Sequence, residues 1–205
     1  MAWLAAILWV PSAARAQTRE PIPIFVADIR GSLIHFGTDH EAADARGIPA
    51  ERLPTSGFGV DVGAHVYPLR FKVITFGFGA SFFTARGEWH ADPTTQPDVP
   101  DTIMRFKAFN PQISLNFGSG RGWSYLSGGI FRSTQSIDRA TDPRQTSPGI
   151  KTINYGGGAR WFPKPHVAFS VEGRFYAVNS SPPTATYPGN GRRTFIVLNV
   201  GVSIQ

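Results

Sequence analysis

Two-residue periodicity dominates this chain from residue 24 to residue 204, and it arrives in eight separate packets. They cover residues 24–36, 57–67, 71–86, 102–117, 123–138, 151–162, 166–178 and 193–204. In the seventh, Val167, Phe169, Val171, Gly173, Phe175 and Ala177 share one parity, and Ala168, Ser170, Glu172, Arg174 and Tyr176 share the other. Successive side chains of a strand point to opposite faces, so such a packet is a strand with one greasy and one polar side. Each packet supplies the roughly 9–11 residues that a tilted strand needs to cross hydrocarbon. A turn of helix is expected only at 42–46, inside a loop.

The connections alternate in length. Short ones fall at Pro68-Leu69-Arg70, at Gly118-Ser119-Gly120-Arg121-Gly122 and at Pro163-Lys164-Pro165. Long ones cover 37–56, 87–101, 139–150 and 179–192, rich in the proline, glycine and acidic residues of watery excursions. Eight strands joined by three short turns and four long loops predict an all-β fold: a closed antiparallel eight-stranded transmembrane β-barrel. Its short turns and both termini would lie in the periplasm and its long loops outside the bacterial outer membrane. A β-sandwich is the weaker alternative, because sandwiches seldom sort their connections this way.

Ahead of the strands, an apolar run from Ala2 to Val10 ends in Ala14-Arg15-Ala16 before Gln17, the shape of an export signal without its usual basic start. Residues 1–16 are expected to be a cleaved signal peptide, 17–23 an N-terminal periplasmic segment and 24–205 the barrel. Losing Arg15 would take the net charge from +6 to +5. Cysteine is absent, which excludes disulfides and thiolate chemistry. Glycine (22) and phenylalanine (16) are frequent while charged residues make up only 17%, a balance suited to little water-facing surface.

Which face meets lipid follows from the polar parity. Phe58, Val60, Val62, Ala64 and Val66 oppose Gly59, Asp61, Gly63 and His65; Ile74, Phe76, Phe78, Ala80 and Phe82 oppose Thr75, Gly77, Gly79 and Ser81. Ile196, Leu198, Val200, Val202 and Ile204 oppose Asn199, Gly201 and Ser203. A water-facing surface would carry scattered Lys, Glu and Gln; small residues punctuated by single charges suit a narrow, side-chain-filled bore. The apolar set is therefore assigned outward. A soluble lipocalin-like binding barrel, with the phenylalanines inside, is the structural alternative.

Three strands resist sorting. Met104, Phe106 and Ala108 have one parity and Ile113, Leu115 and Phe117 the other, so a bulge at Asn110-Pro111 is expected to restore a single apolar face. In the first strand Val26 and Ile34 share parity with Asp28, Arg30 and Ser32; the fifth is ambiguous. Phe71, Trp123, Tyr125, Trp161 and Phe162, beside the short turns, are assigned to an aromatic girdle at the membrane interface.

Enclosed charges must be paired or hydrated. The inward set is Asp28, Arg30, Asp61, His65, Arg105, Lys107, Arg160, Glu172 and Arg174, with Arg132 a further candidate, and in it three acids would bridge a surplus of bases and plug the bore. A narrow, weakly anion-favouring porin is the alternative. Catalytic chemistry finds little purchase. His40 and His90 have acidic neighbours but no serine at convincing spacing, and His166 and Ser170 are about 13 Å apart along one strand. No cofactor, metal site or nucleic-acid interface is expected. The Gly-Ser-Gly-Arg-Gly turn lacks the Lys-Ser/Thr and helix of a phosphate loop. Arg192 and Arg193, at a loop edge, are candidates to touch lipopolysaccharide.

Residues 156–179, Gly-Gly-Gly-Ala-Arg-Trp-Phe-Pro-Lys-Pro-His-Val-Ala-Phe-Ser-Val-Glu-Gly-Arg-Phe-Tyr-Ala-Val-Asn, resemble a hairpin of the small outer-membrane barrels of the OmpA-like family. That resemblance implies a non-enzymatic envelope-anchoring or surface-display role and a bore occluded by internal ion pairs. It also implies a monomer embedded in outer-membrane lipid and assembled by the barrel-insertion machinery. The final Ser203-Ile204-Gln205 departs from the family's aromatic ending and weakens the assembly signal.

Overall fold

The computed structural model describes residues 20–205, so the expected signal peptide lies outside the described residues. Eight strands close on themselves in sequence order: β1 (Phe25–His35), β2 (Ser56–Phe71), β3 (Ile74–Trp89), β4 (Thr102–Ser119), β5 (Gly122–Arg139), β6 (Ile150–Lys164), β7 (Val167–Val178) and β8 (Arg193–Ile204). All neighbours are antiparallel, and β8 returns to pair with β1. One five-residue helix, α1 (His40–Asp44), and a 3-10 turn at Ala50–Arg52 sit in the first long loop.

The stagger of the barrel can be read from its pairs. Phe25 pairs with Val66, then the trace runs through Phe78, Ile113, Gly128, Tyr155, Phe175 and Ile196 and returns to β1 at His35. Position 25 has become position 35, a shear of ten residues. Ten residues are about 33 Å along a strand, against about 38 Å measured perpendicular to the eight strands, which tilts the strands by about 40°. A barrel this narrow has only enough interior for side chains.

The phenylalanine rows face out. Phe76, Phe78 and Phe82 are 39, 48 and 52% exposed, whereas Glu172 and Arg174 are each 1% exposed. The lipocalin-like alternative required the reverse, so it is set aside. Leu33, Val60, Ile113, Leu126, Ile130, Phe169, Leu198 and Val200 continue the exposed belt around the other strands.

Inside, the bore is filled in three tiers. At the short-turn end Ile22, Val26, Tyr67, Trp123, Tyr125, Phe162 and Ala168 pack together. The stretch before β1 is drawn across this mouth, with the Glu20 carbonyl accepting from Gly120 N (2.8 Å) and the Ile24 carbonyl from Tyr67 N (2.8 Å). The expected girdle is corrected accordingly: Phe71 and Trp161 are exposed on the outer wall, but Trp123, Tyr125 and Phe162 are buried in the lumen. A charged tier occupies the middle.

The loop end is apolar. Ile34, Phe83, Met104, Phe106, Phe131, Tyr176, Phe195 and Val197 converge there, and Phe36, Ala42, Ala43, Ile48 and Leu53 of the first loop close over them. Phe106 and Phe195 meet edge to face at 5.0 Å, and Phe83 stacks on Tyr176 at 5.4 Å. Asp39 caps α1 by accepting from Ala42 N (2.9 Å), which turns the two alanines into the lumen.

This upper tier explains the unsorted strands. Val26 and Ile34 point inward with Asp28, Arg30 and Ser32, because both ends of the bore are apolar. In β4 no register shift occurs at Asn110-Pro111: the pairing to β3 is continuous from Thr102 to Phe117. Met104, Phe106 and Ala108 face the lumen, Phe109, Ile113, Leu115 and Phe117 face out, and the expected bulge is not needed. Bulges occur elsewhere. β2 and β6 run through Pro68 and Pro163 with register shifts between Val66 and Leu69 and between Trp161 and Lys164, the standard accommodation of a residue without an N–H. The reversals therefore fall later than expected, at Lys72 and His166, both with left-handed φ (53° and 72°).

Candidate functional site: the ionic tier of the lumen

Three carboxylates and three guanidiniums meet in the middle of the bore. From β1, Arg30 donates through Nη1 to Glu172 Oε2 (2.9 Å), and its Nη2 lies 3.4 Å from both Asp28 Oδ2 and Asp61 Oδ2. From β6, Arg160 grips Asp28 with two bonds, Nη2 to Oδ2 at 2.7 Å and Nε to Oδ1 at 3.1 Å. From β7, Arg174 grips Glu172 likewise, Nε to Oε1 at 2.8 Å and Nη2 to Oε2 at 3.0 Å. Such two-pronged pairs are the strong form of the charge-assisted bond.

Neutral groups add to the shells of Glu172 and Asp28, whereas neither oxygen of Asp61 makes a hydrogen bond among the described residues. Tyr125 donates its hydroxyl to Glu172 Oε2 (2.7 Å) and Asn199 donates Nδ2 to Oε1 (2.9 Å). His65 Nε2 is 3.0 Å from Asp28 Oδ2. The Arg160 guanidinium lies 4.6 Å above the Tyr125 ring and donates to Tyr67 Oη at 3.2 Å. Glu172 thus accepts five hydrogen bonds from residues of four strands, β1, β5, β7 and β8.

Glycine makes the room. A Cβ on Gly79 would stand 2.2 Å from His65 Nδ1, and one on Gly158 would stand 2.9 Å from Tyr125 Oη. The inward glycines of β3 and β6 are therefore the other half of the large polar side chains opposite them.

Of the nine expected lumenal residues, seven gather here: Asp28, Arg30, Asp61, His65, Arg160, Glu172 and Arg174. Arg105 and Lys107 do not, and neither does the further candidate Arg132, which is exposed on the outer face of β5. The first two lie on the outer face of β4, toward the long-loop end, with Lys107 exposed and Arg105 beside Asp138 at 3.7 Å. Their removal from the lumen leaves three acids against three arginines, so the expected surplus of bases is absent from this tier. Tyr125 and Asn199 were the partners that sequence reasoning missed; inward parity shared with Trp123 and Ser203 was their only signal.

The imidazole pairs expected in loops do not form: among the described residues His40 makes no ion pair with its acidic neighbours, and His90 pairs with Asp101, distant in sequence, rather than with Asp92. His90 Nδ1 lies 2.8 Å from Asp101 Oδ2 at the two ends of the β3–β4 loop, in solvent. The carboxylate raises the imidazole above its ordinary 6.5, and the imidazole holds the carboxyl below its ordinary 3.8. Linkage fixes the signs. The histidine's contribution is complete below pH 6.5 and fades as pH rises through its raised value. The aspartate's is complete above pH 3.8 and fades as pH falls through its lowered one. The loop is thus expected to resist limited proteolysis best between about pH 4 and pH 6.5, and a His90→Ala variant to lose this optimum, with no falling-off on either side of that range.

Closed eight-strand barrels with an apolar belt and a filled lumen are the architecture of small outer-membrane proteins. No family model and no curated protein matches this sequence. Among solved structures, the chain is similar to Neisserial surface protein A, at 12% identity and a TM-score of 0.56 over 89% of this chain and 97% of that one. It is similar also to Ail, the attachment invasion locus protein of Yersinia pestis, in a complex with the heparin analogue sucrose octasulfate (10% identity, TM-score 0.54, 88% of this chain and 96% of that one). A second Ail structure gives 12% and 0.51 over the same shares. At these identities the likeness is one of fold: this chain has the fold of the small eight-stranded outer-membrane barrels.

Proposed function

We propose that this protein is a non-enzymatic barrel of the bacterial outer membrane, with both termini in the periplasm, that anchors and displays its four long loops at the cell surface. The observation that carries this reading is the filled lumen. An apolar tier, a balanced ionic tier and an aromatic tier succeed one another along the bore, which supports a closed lumen. The weight of function then falls on the outside of the molecule. The loops support display because they are braced from within: Arg46 donates to the carbonyls of Ile137 (3.1 Å) and Gly189 (3.0 Å) and lies over the ring of buried Tyr187. Arg193 pairs with Asp39 at 3.2 Å, so it acts as a loop brace; lipopolysaccharide contact is assigned instead to the outward bases above the belt. We read the barrel as a monomer delivered by the barrel-insertion machinery.

Planar-bilayer recording of the purified full chain tests the closed lumen. No steady current is expected at neutral pH; a steady open level would replace display with the narrow-porin reading. Protease shaving of intact cells tests orientation, and cleavage within 179–192 is expected.

A further inference from the structure

Just above the apolar belt, the outer wall carries a basic recess that a closed display barrel does not use. Toward its loop end β5 is flanked by β4, through the pairs Arg105↔Ser136 and Lys107↔Thr134. On its other side the β5–β6 loop folds back, and Thr146 bridges antiparallel to Ser136. Three bonds pin that return: Ser147 N to the Gln135 carbonyl (2.8 Å), Gln135 N to Ser147 Oγ (2.9 Å) and Gln145 N to Asp138 Oδ1 (2.8 Å). Three backbones run side by side, and Arg105, Lys107, Thr134, Ser136, Arg144 and Thr146 line a recess of about 120 Å³. That is the space of about four waters at roughly 30 Å³ each, room for a tetrahedral oxyanion and the first atoms of its ester.

The recess is electrostatically unfinished. Arg144 and Arg86 both repel the Arg105 guanidinium, while Asp138 and Glu88 attract it. Four bases against two acids leave an excess of two positive charges. Ser136 is 2% exposed, and its buried hydroxyl has no hydrogen-bond partner among the described residues. An unpaired buried hydroxyl and crowded like charges each cost free energy that one bound dianion removes. Height selects the carrier. On the outer face of β4, Lys107 is the next outward residue above the exposed Phe109, where acyl chains give way to headgroups.

We propose that this recess binds a phosphate monoester carried on an outer-leaflet lipid, with Arg105, Lys107 and Arg144 pairing its oxygens and Ser136 donating to one of them. The assignment rests on the reading that the long loops face outward.

The full chain, folded in a nonionic detergent, would be titrated by thermophoresis with lipid A, with dephosphorylated lipid A and with inorganic phosphate. Wild type is expected to prefer lipid A over its dephosphorylated form by about tenfold or more, the scale of one or two charge-assisted bonds. Arg105→Gln/Lys107→Gln/Arg144→Gln should abolish the preference. Lys107→Gln alone, at an exposed side chain that leaves folding intact, should reduce it. Equal affinity for the two lipids, an unchanged preference in both variants, or inorganic phosphate binding as tightly as lipid A would each overturn the proposal. Folding is scored separately by heat-modifiable gel mobility and orientation by the protease shaving above. A failed recess and a failed membrane reading therefore appear in different experiments.

Discussion

Glu172→Ala is expected to lower the unfolding free energy of the barrel by about 3–5 kcal/mol, the penalty for leaving buried charges without their counter-ion. The carboxylate is the one point where β1, β5, β7 and β8 are tied together by side chains, and its removal strands Arg174 and leaves Arg30 with only its longer contacts to Asp28 and Asp61, in a lumen with almost no exposure. Neither guanidinium can leave: the aromatic tier closes one direction and the apolar tier the other. Tyr125 and Asn199 lose an acceptor as well, which adds to the cost. Glu172→Gln, similar in shape and uncharged, should fall between wild type and alanine. A partial rescue distinguishes charge from packing: adding Arg174→Met to Glu172→Ala should recover part of the loss, because the second change removes one stranded charge. Urea titration in detergent micelles, followed by tryptophan fluorescence and by gel mobility, reads all four proteins. A Glu172→Ala loss below about 1 kcal/mol, the value of an exposed ion pair, would mean that the tier is wet.

Alternation was legible wherever one face of a strand meets lipid and the other meets small or charged residues, as in β2, β3, β7 and β8. It failed where the lumen is itself apolar. Met104 and Phe106 on β4 look like lipid-facing residues and are core residues of the upper tier, so apolar character appears on both parities and imitates a phase slip. Trp123, Tyr125 and Phe162 fail for the mirror reason: aromatics beside a short turn suit an interfacial girdle and a lumenal floor equally well. Arg105 and Lys107 were drawn inside by the assumption that every outward residue of a strand meets lipid. At 18 residues β4 is far longer than the roughly 9–11 needed to span, and the excess stands above the belt, where outward bases are at home. The proline turns moved because a bulge lets a strand continue past a missing N–H, an outcome that depends on the partner strand and is invisible in one sequence.

Phe78→Arg is expected to cost about 2–4 kcal/mol when the barrel is folded in lipid bilayers, the penalty for an arginine near the midplane. The position is well chosen: on β3, Phe78 is the centre of the outward run from Ile74 to Phe82. Thr84→Arg supplies the comparison on the same strand and the same face. Six residues along a strand tilted by about 40° raise a side chain by about 15 Å, more than half the height of an apolar band of about 25 Å. Thr84 pairs with Lys107, so an arginine there joins residues already outside the hydrocarbon and should cost about 0–1 kcal/mol. In water the two substitutions would rank the other way: removing an exposed phenylalanine would be nearly neutral, while a new base beside Lys107 would add like-charge repulsion. The sign of the difference between the two variants, measured by reversible unfolding from liposomes, therefore depends on the solvent that surrounds the belt and on little else. Equal costs at both sites would place the phenylalanine rows against something other than acyl chains.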